Sequence, residues 1–317
     1  MKILFFGTSI VSRYYLEELC KNNHKVLVIT KSDRPAFRGR RFVFSAVKVY
    51  AIENDVDFMQ VEKFTTDVIK KIKKFGADVG VVVSYGKLIP RSIFSLPKYK
   101  TFNVHFSLLP KLRGASPVQY ALCNGETETG VSSFYIGDDL DSGDIIIQER
   151  IVIDVNDTAE TLFSKLIPLG IVVMNKTLEF FESGEYKSTP QIGVPSFAPS
   201  LKKRSGLINW NKSASDVYNK FRGLYLWPGV YSIVSFGKLT GKRIKFIEIK
   251  VFNSDSLNCG FGIVCSIEKN RGFTVSCAAG KILVVKMKLE SKPVMDAWSF
   301  VQGGQLSVGD RFSVEGM

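Results

Sequence analysis

Met1-Lys-Ile-Leu-Phe-Phe-Gly7 and Lys25-Val-Leu-Val-Ile-Thr30 are short apolar runs, each closed by a turn former or a polar residue. Between them, Tyr15, Leu16 and Leu19 recur at helical spacing over residues 12–22. Apolar runs without alternation read as strands buried on both faces, the kind found in parallel sheets crossed over by helices. The pattern then repeats. Residues 46–53 and 66–74 have helical spacing, 79–84 and 101–105 read as buried strands, and 117–122 as a helix. Strand-like runs follow at 130–136 and 144–153, and Asp157 with Glu160 three residues on marks a helix start for the run to about residue 181. This βαβ alternation predicts an α/β fold with an open, doubly wound, mostly parallel Rossmann-like sheet.

The chain has 317 residues, more than one ordinary domain, and its 45% hydrophobic content rules out a largely disordered protein. Pro190, Gly193, Pro195, Pro199, Ser205 and Gly206 break the alternation. They divide the chain into a domain over 1–188, a linker over 189–206 and a second domain over 207–317. Beyond the linker, one helical stretch (214–223) precedes short strand-like runs near 230–236, 243–252, 262–267, 273–277 and 282–289, the pattern of a small barrel or sandwich.

Lys and Arg total 43 against 30 Asp and Glu, a net of +13. Residues 201–317 carry 18 against 8, a net of +10, so the surplus sits in the last third. That asymmetry suggests a nucleic-acid or membrane-surface module beside a near-neutral one. A second basic stretch, residues 31–44, is long, polar and without periodicity; it holds Lys31, Arg34, Arg38, Arg40 and Arg41 against Asp33 alone. Five scattered cysteines signal neither a disulfide framework nor a zinc site. With no long apolar run, a soluble, cytoplasmic protein is expected.

Only two histidines occur, and His24 reads as a solvated turn residue. His105 ends a predicted buried strand two residues after Asn103, so both side chains share a face. In open α/β sheets, ligands bind at the carboxyl ends of strands. Downstream, Ile136-Gly-Asp-Asp-Leu-Asp-Ser-Gly-Asp144 packs four aspartates between two strand-like runs. One reading is a metal loop, although the Ca²⁺-loop spacing and its terminal Glu are missing. The other is one carboxylate placed to orient a histidine or handle protons. Asn, His and Asp together suit acyl transfer to an amine: an amide and an imidazolium stabilise an oxyanion while a carboxylate takes the proton.

Asn103-Val-His105-Phe-Ser-Leu-Leu-Pro110, followed by Asp141 in Leu-Asp-Ser-Gly, resembles the signature of the folate-dependent formyltransferases. The resemblance narrows to the branch of that family that formylates methionyl-initiator tRNA. It is carried by Asp33-Arg-Pro-Ala-Phe-Arg-Gly-Arg-Arg41, Val83-Ser-Tyr-Gly-Lys-Leu-Ile-Pro90, Arg113-Gly-Ala-Ser-Pro-Val-Gln119, Leu207-Ile-Asn-Trp210 and Arg222-Gly-Leu-Tyr-Leu-Trp-Pro-Gly229. It implies 10-formyltetrahydrofolate as formyl donor, no metal, and an OB-like C-terminal barrel that binds tRNA. It implies Asn103, His105 and Asp141 as catalytic residues, with Asp141 orienting His105. Folate would be held by Tyr85, Gly86 and Leu88, by Ser107, Leu108, Leu109 and Pro110, and by Asp138 and Gly143. The tRNA would meet Arg34, Arg38, Arg40, Arg41 and Lys48. A monomer is the family expectation, as is a cis Leu109–Pro110 bond, and Trp210 and Trp227 read as structural.

The chain departs from that pattern in places. Gly7-Thr-Ser lacks a usual proline, while Phe106 and Phe37 stand at usual glycines; Phe106 would narrow the acceptor pocket or repack a neighbouring helix. Amino-sugar formyltransferases share the catalytic triplet but not the Arg-rich loop, and glycinamide ribonucleotide formyltransferases leave the basic third unexplained. An RNA-binding protein on an inactive scaffold is a further alternative, against which the intact triplet speaks. A dinucleotide enzyme is disfavoured because Gly7 to Ser12 lacks the Gly-x-Gly-x-x-Gly fingerprint.

Overall fold

The structure is a computed structural model that describes residues 1–35, 42–184, 187–252 and 260–313. Two compact units form. The first comprises Met1–Pro117, Thr129–Ile151 and Ser164–Pro199; the second comprises Val118–Glu128, Val152–Phe163 and Ser200 onward.

In chain order the elements begin β1 (Lys2–Gly7), α1 (Ile10–Lys21), β2 (Lys25–Thr30), β3 (Arg34–Pro35), β4 (Phe42–Val43) and α2 (Ala46–Glu53). Next come β5 (Phe58–Gln60), α3 (Thr66–Phe75), β6 (Val79–Val83), α4 (Arg91–Phe94) and β7 (Thr101–His105). Then follow α5 (Pro117–Cys123), β8 (Glu128–Tyr135), β9 (Ile145–Val152) and α6 (Ala159–Ser183). The seven-stranded sheet runs β5-β2-β1-β6-β7-β8-β9. The pairs among β5, β2, β1, β6 and β7 are all parallel and only β8 is antiparallel to β7, so the mostly parallel sheet predicted from the alternation is present. β1, β2 and β6 are apolar and almost wholly buried, as their unalternating runs require. Because the strands are parallel, the segments after β1, β2, β6 and β7 leave from one edge.

That edge is pinned locally. Ser9 and Ser12 form a reciprocal capping box on α1, and Ser12 Oγ donates to the Val83 carbonyl at 2.6 Å. A serine cap thus occupies the turn from which the usual proline is missing. Phe106 is buried edge-to-face on Tyr15 of α1, 6.4 Å between centroids, so the ring packs on a neighbouring helix. α6 has the length and apolarity of a membrane span, but Leu166, Val173, Met174 and Phe181 are fully buried. Phe181 packs on Phe102 of β7 and Tyr135 of β8, as a core helix does. Its start lies one residue past the expected cap: Thr158 and Thr161 exchange side chain–backbone bonds, while the Asp157 carboxylate accepts from Asp154 N and Thr161 Oγ1.

The second unit continues with a 3₁₀ turn (Lys203–Gly206), α7 (Ala214–Gly223), β10 (Val230–Phe236), β11 (Arg243–Phe252), β12 (Val264–Glu268) and β13 (Gly272–Ser276). It ends with β14 (Lys281–Leu289), β15 (Val294–Asp296), α8 (Ala297–Gln302) and β16 (Arg311–Phe312). The sheet order is β12-β13-β14-β11-β10-β16, with β15 alongside β14. Val264 N donates to Asp310 O at 2.9 Å and Phe312 N to Gly262 O at 2.8 Å, which joins the two edge strands and closes a barrel. Its core is centred on Trp210, fully buried between Phe246 and Phe312, with its indole N–H donated to Ser232. Trp227 departs from the structural reading: it is 49% exposed.

Residues 189–199, expected as linker, are instead built into the first unit. Thr189 bridges Ile145 and Phe197 bridges Arg113.

Candidate active site

His105 closes β7 and is 5% exposed. Its Nε2 lies 3.0 Å from the Leu112 carbonyl, which can only accept, so Nε2 carries the hydrogen and Nδ1 is the atom left for chemistry. Asp141 stands in the β8–β9 connection at φ 47°, and its Oδ2 is 3.8 Å from His105 Nδ1. That separation is beyond a hydrogen bond. Asp141 therefore stands at ion-pair distance from His105 without a hydrogen bond to it: the Leu112 carbonyl fixes the ring, and the Asp141 carboxylate is itself fixed by the Gly114 N–H at 2.8 Å. Asn103 lies on the same face of β7, opposite Val82 and Phe134. It is partly buried, and its side-chain amide has no hydrogen-bond partner among the described residues.

The turn after β7 is held from beneath by β8 and β9. Ser132 Oγ donates to the Ser107 carbonyl (2.6 Å) and accepts from Leu109 N and Gln148 Nε2. Gln148 also donates to the Leu109 carbonyl at 3.2 Å, and Ser107 Oγ to the Lys111 carbonyl at 2.6 Å. Leu109–Pro110 is cis, as the resemblance implied. Ser107 and Leu109 are buried and serve the turn, whereas Leu108 and Pro110 are partly exposed.

Several residues that hold this site gave no signal in the sequence. Leu112 N donates to Ser196 Oγ, Arg113 N to Ser196 O, and Ala198 N to Arg113 O. The Arg113 guanidinium donates twice to Gln191 Oε1 (3.1 and 2.7 Å), and Gln191 Nε2 donates to the carbonyls of Asp141 and Gly143, each at 2.8 Å. Gln191, Ser196 and Ala198 lie in the stretch read as linker, where proline and glycine disguise a segment docked by backbone bonds. No group of three or more potential metal ligands occurs among the described residues.

The residues assigned to folate are spread over different environments. Leu88 is 91% exposed and Gly86 turns the chain at φ 66°. Asp138 is exposed and paired with Arg91 at 3.2 Å. Gly143 has no room for a side chain beside the Tyr135 carbonyl. Tyr85 does not present its ring: it is 1% exposed and edge-on to Phe6, and burial, with Glu62 nearby, pushes its hydroxyl up to about 12. A folate contact from Tyr85 would have to come from its backbone. The hydroxyl has no partner among the described residues. Since a buried unsatisfied hydroxyl costs about 1–3 kcal/mol, Tyr85→Phe is expected to hold or raise the unfolding temperature and leave the folate KM unchanged, measured by thermal melts and steady-state kinetics.

Of the residues assigned to tRNA, Arg38, Arg40, Arg41 and the Arg34 side chain lie outside the described residues. Lys48 is not a free cation: it pairs with Asp33 at 2.6 Å and stands 4.1 Å over the Phe44 ring, with 12% of its side chain exposed. Asp33 also accepts from Gln60, so Lys48 braces one root of the basic segment. His24 is half-buried rather than solvated.

Two family patterns match the chain: formyl transferase over residues 1–177, and formyl transferase, C-terminal domain, over residues 200–305. A methionyl-tRNA formyltransferase of Endomicrobium trichonymphae is 64% identical over 98% of this chain and 100% of its own length. Its namesake from Thermodesulfovibrio yellowstonii is 37% identical over 98% of this chain and 99% of its own. Among solved structures, the N-formyltransferase from Helicobacter canadensis, in complex with folinic acid and dTDP-3-aminofucose, shares the fold at a TM-score of 0.67 and 22% identity, over 90% of this chain and 98% of that one. By its match to the family in both domains and to relatives over their full length, the chain belongs to the formyl transferase family.

Proposed function

We propose that this chain transfers the formyl group of 10-formyltetrahydrofolate to the α-amino group of methionyl-initiator tRNA. The observation that carries the reaction is the constellation itself: an Asn103 amide with no partner among the described residues, on the same strand face as His105, whose Nδ1 faces Asp141 at 3.8 Å. The acceptor rests on the full-length relatives named methionyl-tRNA formyltransferase. Bound 10-formyltetrahydrofolate supplies the formyl carbon. The α-amino nitrogen bonds to that carbon, the carbon's bond to N10 breaks, and the proton lost by the amine replaces it on N10.

Asn103 donates its amide N–H to the formyl oxygen as negative charge develops there. His105 carries its movable proton on Nδ1, because Nε2 is committed to Leu112. Protonated, it is the second donor to the oxyanion. Asp141 takes the amine proton, directly or through water, since Gly114 occupies only one of its oxygens. Ser107 to Pro110 form the floor of the donor site with the segment around Gly86 and Leu88, and Asp138 and Gly143 close it.

The acceptor end meets the basic segment 31–44, with Arg38 as its main contact, supported by Arg34, Arg40 and Arg41 and braced by Lys48. The barrel, in a region of net +10, meets the phosphate backbone. The protein acts in the cytoplasm as a monomer.

The test is transfer with purified protein. Formyl-methionyl-tRNA is expected from methionyl-initiator tRNA, and no product from an amino-sugar nucleotide; the reverse outcome overturns the acceptor while leaving the reaction class. In the same assay Arg38→Ala should weaken tRNA use on the order of 10-fold, as for one lost charged contact, with folate affinity unchanged. Weakened folate binding instead would contradict the assignment of the loop.

A further inference from the structure

Gln191 is tied on both sides of its amide, and its orientation is forced. Arg113 can only donate, so the oxygen of the amide faces the guanidinium, at 3.1 Å from Nε and 2.7 Å from Nη2. The nitrogen then spends both hydrogens on the carbonyls of Asp141 and Gly143 at 2.8 Å. A flipped amide would set donors against donors and an oxygen against two carbonyls. Arg113 is in turn anchored through its backbone to Ser196 and Ala198.

What the amide holds is a strained place. Asp141 has φ 47°, in the left-handed region that a non-glycine residue keeps only when its surroundings over-determine it. The Asp141 side chain meets Gly114 at 2.8 Å, and its backbone carbonyl meets Gln191. We infer that Gln191 is a positioning residue for formyl transfer: it clamps the 141–143 backbone to Arg113 so that the Asp141 carboxylate stands beside His105 Nδ1. The inference rests on the catalytic reading of Asp141 above.

Gln191→Glu keeps the side-chain length and an oxygen for Arg113, but sets a second oxygen against the two carbonyls. It is expected to lower kcat about 10–100-fold, the scale of a misplacement of about 1 Å at a reacting group. KM for 10-formyltetrahydrofolate and for methionyl-tRNA should stay within about threefold of wild type, a split that a general loss of structure does not give. Because Gln191 acts through Asp141, Gln191→Glu added to Asp141→Asn should cost less than about twofold more. Should the charged variant fail to fold, Gln191→Met, which makes no hydrogen bond on either side, is measured instead.

Wild-type kcat in Gln191→Glu or Gln191→Met, alongside a slow Asp141→Asn, would overturn the positioning role alone. So would a loss that repeats in full in the Asp141→Asn background, or one confined to KM. Wild-type kcat in Asp141→Asn would overturn the reading of Asp141 and, with it, this inference.

Discussion

His105→Ala is expected to lower the rate of formyl transfer by about 10³-fold, within the range spanned by loss of a positioned acid–base group or an oxyanion donor. The imidazole has two jobs on its two nitrogens. Nε2 is spent on the Leu112 carbonyl, which fixes the tautomer and the ring plane, and Nδ1, 3.8 Å from Asp141, is the atom that the proposed mechanism uses. Alanine removes both. The ring also packs edge-on to Phe134 at 6.2 Å, so the variant should lose about 1–2 kcal/mol of stability as well. His105→Gln separates the effects: its amide nitrogen can still serve Leu112, which restores stability, yet it offers no titratable nitrogen and stays slow. Single-turnover rates and thermal melts of the two variants check this. A stable His105→Gln variant within tenfold of wild-type rate would remove His105 from the proton transfers.

Gly143→Ala should produce the second large effect, through contact rather than chemistry. A Cβ at this position would fall inside the van der Waals envelope of the Tyr135 carbonyl, with the carbonyl carbon only 2.9 Å away. Neither atom is the end of a flexible side chain; both belong to the backbone of β8, whose Tyr135 N–H is bonded to Asp144. The loop must therefore move, and the Gly143 carbonyl that accepts from Gln191 moves with it. Overpacking of this kind costs about 1–3 kcal/mol, and displacement of Asp141 should cost about 10²-fold in kcat. Gly137→Ala is the control in the same loop, because its Cβ would meet nothing closer than Ser142 Oγ at 3.8 Å. It should be close to neutral in both melts and kinetics. Equal effects at 137 and 143 would mean that the loop is not held as described.

Much of this architecture was legible because it depends on local pattern. β2, β7, α2, α7, β10 and β11 begin and end where apolar spacing and turn residues place them: β2 and β7 are buried on both faces, α2 and α7 carry side-chain caps, and β10 and β11 bury one face, through Val230 and Val234 and through Ile244 and Phe246. Shorter elements were not legible. β5, β16 and α8 are stabilised by neighbours distant in sequence, Thr30 and Val234 among them, and their few residues carry no period of their own. The same holds within the site. Asn103 and His105 declare themselves by spacing on a strand, but the contacts of Gln191, Ser196 and Ala198 are made by tertiary hydrogen bonds across a segment whose prolines read as linker. Tyr85 and Trp227 mislead in opposite directions, for an aromatic residue does not show from its position whether its ring faces the core or water.

Asn103 allows the most direct test of the catalytic centre, because its amide supports no other described group. The measurement is the single-turnover rate of formyl transfer from 10-formyltetrahydrofolate to methionyl-initiator tRNA in Asn103→Ala. Loss of one oxyanion donor predicts a rate about 10²–10³ slower than wild type, with folate affinity and unfolding temperature unchanged. A wild-type rate in that variant would contradict the assignment of Asn103, His105 and Asp141 as the centre that carries the transfer.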